Sequence, residues 1–394
     1  MAAPKKFVVK PNDGSGNILP LENAPSGTLF SNESVAVDAP VEANASGAEN
    51  TPTEASVDAE VDFSKIGQTL AAEMDAQGYH PVIIFGSANS GKSTLLGSLF
   101  SYLQIDTTKG VGIYLGDPLV SQGREAKDLA ESFFYQSIQE FLDGTGHVGT
   151  KIRHPFFIPI IIKPPHLPEM RFAFMESNGE WYGPQKDTGK YFPELKEEIN
   201  SILQHYQKGI SFIHLAPFTQ INAWANNQDG LDVDRDHINN ASLALVGAFN
   251  AYEHLRVFKN DDAHMFLITK WDASGKDDLI ERLEFVAFED VESVASNVYT
   301  KGFAAFNNLK LDMAQKNLMQ YCSGIMSGRN IIKASAELKP ILNRYPQTMW
   351  NWLYGNATKN DLEIAQALVL LPKPIPPKKT FIDYINEIIH RVLN

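Results

Sequence analysis

Residues Gly86 to Thr94 read GSANSGKST and fit the spacing G-x-x-x-x-G-K-[ST]. Each residue type in that pattern has a use in holding a run of phosphates. Gly86 and Gly91 let the backbone curl so that N–H groups along Asn89 and Ser90 face phosphate oxygens. Lys92 can reach the β- and γ-phosphates as a compact positive charge. The Ser93 hydroxyl can ligate Mg²⁺, with Thr94 beside it in the first helical turn. The loop therefore specifies a nucleoside triphosphate and leaves the base open.

Two further segments put reactive groups at the ends of apolar runs. MRFAFMES (170–177) ends in the carboxylate of Glu176, with Gly179 three residues on, and MFLI is followed at once by TKWD, Thr269 to Asp272. An acid ending a buried run next to a phosphate loop suits a metal held through water. With the loop, these segments resemble the Ras-like and translation-factor-related P-loop GTPases, over roughly residues 80–330. The resemblance implies a Ras-like order of loop–helix, antiparallel hairpin, D-x-x-G turn and N/T-K-x-D. It assigns Asp272 to the guanine N1 and exocyclic amine, Lys270 to the face of the base, and Thr269 to the start of that motif. It also assigns Glu176 to the metal and the Gly179 N–H to sensing the γ-phosphate. Glu180 stands where the family often has a water-orienting glutamine. Thr150 in GHVGTKIRHPF is best placed for the metal-ligating switch threonine, with Thr107, Thr108 and Thr145 as rivals. Ser323, after the last apolar run, is a loose counterpart of the S-A-K motif. Arg124 and Arg153 fall in the region of a catalytic arginine, and neither is specifically placed. The chain departs from the family in carrying Glu176 for aspartate and Glu180 for glutamine. With its long inserts it looks most like bacterial members such as the double-GTPase group.

The resemblance implies GTP and GDP with Mg²⁺ as ligands, slow hydrolysis with Lys92, Glu180 and Thr150 in the catalytic roles, and a protein effector or activating partner. Two readings compete with it. One is a P-loop ATPase or kinase in which TKWD is coincidence; the other is an interaction module that binds nucleotide without turnover.

Positioning these residues requires a particular set of elements. PVIIFG (81–86) reads as a buried strand, and KSTLLGSLFSYL (92–103) as a helix with Leu95, Leu96, Leu99 and Leu103 on one side. A lead-in helix ends at Gly78, and an amphipathic helix spans about 126–142. HPFFIPIIIK (154–163) and MRFAFMES are joined by the short turn PPHLPE, which only an antiparallel pair can use. Strands at 210–218, 265–270 and 318–324 alternate with helical stretches at 238–258 and 277–309. A Trp-rich helix lies near 348–354, an apolar helix at 361–371 and an amphipathic one at 380–394. The alternation predicts an α/β fold: a three-layer P-loop domain with a mostly parallel sheet and one antiparallel hairpin strand.

Net charge is −13, with 47 acids against 34 bases, which argues against nucleic acid as a partner. Ten acids and no Lys or Arg fall between Pro11 and Ser64, in a stretch poor in large apolar residues. That composition predicts a disordered acidic tail over 1–62, ahead of a nucleotide domain over 63–358 and C-terminal helices with a Pro-rich linker over 359–394. The single cysteine, Cys322, suits a reducing cytoplasm, and no apolar run is long enough for membrane insertion. DVDRDHINNASL (232–243) opens like a calcium loop, but His237 replaces the needed glycine and Leu243 the bidentate glutamate, so a solvated loop is expected there. His205 and His214 show no metal spacing.

Overall fold

The computed structural model describes residues 62–105, 112–143, 154–164, 168–177, 195–219, 221, 235–271, 288–312, 315–320 and 344–359. The expected acidic tail, the helices at 361–371 and 380–394 and their linker lie outside these residues.

Strand β1 (Tyr79–Phe85) is apolar and buried along nearly its whole length, as a strand covered on both faces must be. Beside it lie β4 (Met170–Glu176) and β5 (Ser211–Pro217), both parallel to it. The sheet has seven strands in the order β2-β3-β4-β1-β5-β6-β7, adding β2 (Gly112–Leu115), β3 (Phe156–Lys163), β6 (Ala263–Thr269) and β7 (Lys316–Gln320). Among these strands only β3 runs against its neighbours, pairing antiparallel with β2 and β4. The hairpin expected from PPHLPE is therefore present, and an edge strand, β2, lies beyond it.

Alternation along the strands sends side chains to two helical layers. Phe172 and Phe174 point to one face, where they meet Trp350 of α8 (Arg344–Thr358) and Phe100 of α2 (Lys92–Ile105) edge-on. Helix α3 (Gly123–Asp143) lies beside α2, with Phe134 against Phe100. Phe212, His214 and Phe266 point the other way, onto Tyr252 and Phe249 of α5 (Arg235–Leu255) and Phe303 of α7 (Thr300–Asn307). The lead-in helix α1 (Phe63–Gln77) begins on an Asp62 cap and ends on left-handed Gly78. It packs against α4 (Glu197–His205) so closely that Gly67 would carry a Cβ only 2.5 Å from the Glu198 carbonyl.

The helical stretch expected at 277–309 is broken. Within its described part, α6 (Phe288–Val298) and α7 are separated at Tyr299, whose backbone (φ −105°, ψ 36°) leaves helical geometry. The outer edge of β3 is closed by this chain itself. The Gly116 N–H donates to the Pro159 carbonyl at 2.7 Å, and the Gln122 amide pairs with both the N–H and the carbonyl of Phe157, at 2.8 and 3.0 Å. Below the sheet, the fully buried Arg256 guanidinium donates to both oxygens of Asp262 at 2.9 Å and to the carbonyl of Tyr206. Among the described residues, no helix is long and apolar enough to cross a membrane.

Candidate functional site

The sheet reverses its order of construction at β1: the chain runs outward to β4 on one side and to β5 on the other. In open α/β sheets the crevice beyond the carboxyl ends of such strands is where ligands bind. Here those ends are Phe85, Glu176, Pro217 and Thr269.

Between Phe85 and Lys92 the loop turns on a Ser90 N–H to Ser87 carbonyl bond of 3.2 Å, with Asn89 left-handed at φ 58°. Asparagine is among the few residues that accept this conformation. Two glycines are demanded by geometry. A Cβ on Gly86 would stand 2.4 Å from the Ser90 Oγ, and Gly91 has φ 94°. Lys92 folds back over the loop and donates from Nζ to the carbonyls of Gly86 (2.9 Å) and Ser87 (3.1 Å). Burial pulls its pKa down to about 8, and the nearby Glu176 carboxylate partly offsets that fall. The cation is thus enclosed among backbone dipoles, where its field is weakly screened. Among the described residues, the buried hydroxyls of Ser87 and Ser90 have no hydrogen-bond partner.

Glu176 ends β4 beside this loop and is itself buried. It accepts a hydrogen bond from Ser93 Oγ at 3.1 Å, which brings together the two groups expected to hold a metal. A hydroxyl and a carboxylate are hard oxygen donors of the kind Mg²⁺ prefers, so the residues present fit that ion. From the other side, Thr269 Oγ1 donates to the Ser90 carbonyl at 2.7 Å, joining the end of β6 to the phosphate loop. Lys270 follows in a left-handed conformation at φ 55°. Trp271 is buried and packs edge-on against Phe218, with ring centroids 5.0 Å apart.

Gly86, Asn89, Ser90, Gly91, Lys92, Ser93, Thr94, Glu176, Thr269 and Lys270 therefore lie at the strand–loop junctions after β1, β4 and β6. Thr150, Gly179, Glu180, Asp272 and Ser323 lie outside the described residues, as do Thr107, Thr108, Thr145 and Arg153. Arg124 is exposed on the first turn of α3 and pairs with Asp128. Of the calcium-like stretch, the residues from 235 onward belong to α5. His205 is exposed at the end of α4, whereas His214 is core. Sequence reasoning missed Phe218, whose ring meets Trp271 and whose N–H donates to the Thr269 carbonyl, and Tyr299, whose phenol donates to the Pro217 carbonyl. The motif patterns give no signal for either, because both look like ordinary core aromatics.

No protein-family profile matches the chain, and no curated protein matches it. Among solved structures it is similar to a nucleolar GTP-binding protein 1 from Plasmodium falciparum, at 10% identity over 74% of this chain and 94% of that one, with a TM-score of 0.27. It is also similar to one chain of an oligomerised bacterial dynamin pair, at 14% identity over 84% of this chain, with a TM-score of 0.26. The chain spans 57% of that dynamin's length. Likenesses of this size leave the functional reading to the loop and its side chains.

Proposed function

We propose that the chain binds GTP with Mg²⁺ on the Gly86–Thr94 loop, hydrolyses it slowly, and alters its affinity for a protein partner with nucleotide state. The observation that carries this reading is a convergence: the Lys92 loop, the Ser93–Glu176 pair and Thr269 of TKWD are joined to one another by hydrogen bonds.

A bound triphosphate offers Lys92 better acceptors than the carbonyls of Gly86 and Ser87, and the N–H groups of the first turn of α2 point at the same anion. Mg²⁺ on Ser93 and Glu176 would neutralise charge on the β- and γ-phosphate oxygens. In the reaction, water attacks the γ-phosphorus in line while the bond to the β–γ bridging oxygen breaks, giving GDP and phosphate. Lys92 and the loop N–H groups stabilise the charge that shifts onto the phosphoryl oxygens. Thr150 is the residue assigned to the metal as switch threonine, and Glu180 the one assigned to orienting that water. Glu180 adds a negative charge near the γ-phosphate; at ~4 Å such repulsion amounts to about 1–4 kcal/mol, which makes unaided turnover slow. Asp272, next to Trp271, supplies the acceptor for guanine.

Competition binding of GTP, ATP and XTP to wild type and Asp272→Asn tests the base. Wild type should prefer GTP, and the variant should shift toward XTP, because its amide donates where the carboxylate accepted. Equal affinity for ATP and GTP would favour the ATPase reading. Tight GTP binding with no phosphate release in a single-turnover assay would favour the non-hydrolysing module.

A further inference from the structure

A hydroxyl and a carboxylate can meet beside a phosphate loop for two reasons, and the distance between them helps to separate the two. A hydroxyl that donates to an ionised carboxylate closes to roughly 2.5–2.7 Å. Two oxygens on neighbouring corners of an octahedral Mg²⁺ site, each about 2.0–2.1 Å from the ion, stand about 2.8–3.0 Å apart. Ser93 Oγ and Glu176 Oε1 are 3.1 Å apart, long for the first arrangement and close to the second. The surroundings point the same way. Glu176 is 2% exposed, and its pairing with Phe156 fixes the backbone at the end of β4. Its carboxylate is therefore enclosed on the flank of the loop, with little room for a water between it and a cation on Ser93. Read from the sequence, an acid in this place suits a metal held through water. The extra methylene of glutamate advances the carboxylate toward the ion instead.

We propose that Glu176 is a direct ligand of the metal, taking the octahedral corner next to Ser93 that a water would otherwise hold. This rests on the reading of a nucleotide with Mg²⁺ on the Gly86–Thr94 loop and deepens its metal half; the identity of the base does not enter it.

The test uses Mn²⁺, which takes octahedral oxygen sites as Mg²⁺ does and whose paramagnetic-resonance lines broaden with each bound water enriched in oxygen-17. With GDP on the full chain, wild type should carry one bound water fewer than Glu176→Asp, whose shorter side chain leaves the corner to solvent. Glu176→Gln keeps the size of the side chain and removes its charge. It should weaken Mn²⁺ in the GDP complex by more than about a hundredfold, beyond the roughly 10–100-fold that partners outside the ligand shell carry. It also serves alone if Glu176→Asp fails to fold. A hydrogen bond that merely fastens α2 to β4 would lower the melting temperature of both variants and leave water number and Mn²⁺ affinity in place. Equal water numbers in wild type and folded Glu176→Asp, or a smaller loss of affinity than that in Glu176→Gln, overturns direct ligation and leaves nucleotide binding by the loop intact. A wild-type chain that holds Mn²⁺ with neither GDP nor ADP removes this proposal together with the reading it rests on.

Discussion

Lys92 gives the nucleotide site a pH dependence whose sign and size follow from its burial. Burial among the loop carbonyls holds its pKa down to about 8, against an ordinary 10.5. A bound triphosphate places anionic oxygens on the ammonium and returns the pKa toward its ordinary value. Binding is therefore linked to proton uptake wherever the free lysine is partly neutral. Between about pH 7 and 8.5, GTP affinity should fall roughly fourfold, and at pH 8.5 about three-quarters of a proton should be taken up per site. Over this window the γ-phosphate is already ionised at the alkaline end, so it contributes no uptake there. Calorimetry in two buffers of different ionisation enthalpy reads the proton number directly, and parallel titrations read the affinity. The same shift has a consequence for the empty protein. The unfolded chain binds the proton more tightly than the folded one, so stability without nucleotide should rise as pH climbs from about 8 toward 10.5. Affinity that is flat with pH, together with no proton uptake, would refute the placement of Lys92 as the enclosed cation of the site.

The other predictions concern the frame. His80 and His214 are held down to about 3 and His264 well below its ordinary value, chiefly by burial, with Lys359 beside His80 and with His214, Lys316, Arg256 and Lys259 around His264. Their folded pKa values lie below the unfolded value of 6.5, so stability is full above that pH and is lost as pH falls toward 3. At about pH 5 keeping the rings of His80 and His214 neutral should cost about 2 kcal/mol each, measured as a drop in urea midpoint; a midpoint insensitive to acid would mean the rings are already charged or hydrated. Gln122→Ala should cost about 1–3 kcal/mol because it strips both partners from the Phe157 backbone, and thermal melts read the loss; an unchanged melting temperature would mean that water replaces the amide without penalty.

What the sequence made legible is what local chemistry decides. The strand–loop–helix at 79–105 could be read because a phosphate loop needs those glycines between a buried strand and a helix. The hairpin could be read because PPHLPE is too short for a crossover. β2 could not: GIYL is four residues with little alternation, and only pairing to β3 makes it a strand. Helix α4 is nine residues, and its apolar Ile199, Ile202 and Leu203 acquire meaning only against α1. The break at Tyr299 leaves no gap in the apolar pattern of 277–309, because the residue is as buried there as it would be within a helix. His214 shows no metal spacing in the sequence, yet it pairs with His264 at 3.0 Å across adjacent strands. Such contacts join residues fifty or more apart, which no local pattern records.

Glu176 stands where the P-loop GTPases that the sequence resembles carry aspartate, and there sequence and geometry meet most directly. A side chain one methylene longer has to be taken up somewhere if its carboxylate is to serve the same metal. Here Oε1 comes within 3.1 Å of Ser93 Oγ, so the longer side chain still delivers its carboxylate to the hydroxyl at the start of α2. Glu176 is nearly devoid of solvent exposure, at 2%, and lies close enough to raise the pKa of Lys92 against the effect of burial. The shorter side chain of Glu176→Asp would draw the carboxylate back toward β4, away from Ser93, at a position where the strand register with Phe156 fixes the backbone. In this chain glutamate is therefore the residue whose length fits the distance between β4 and the helix that begins at Lys92.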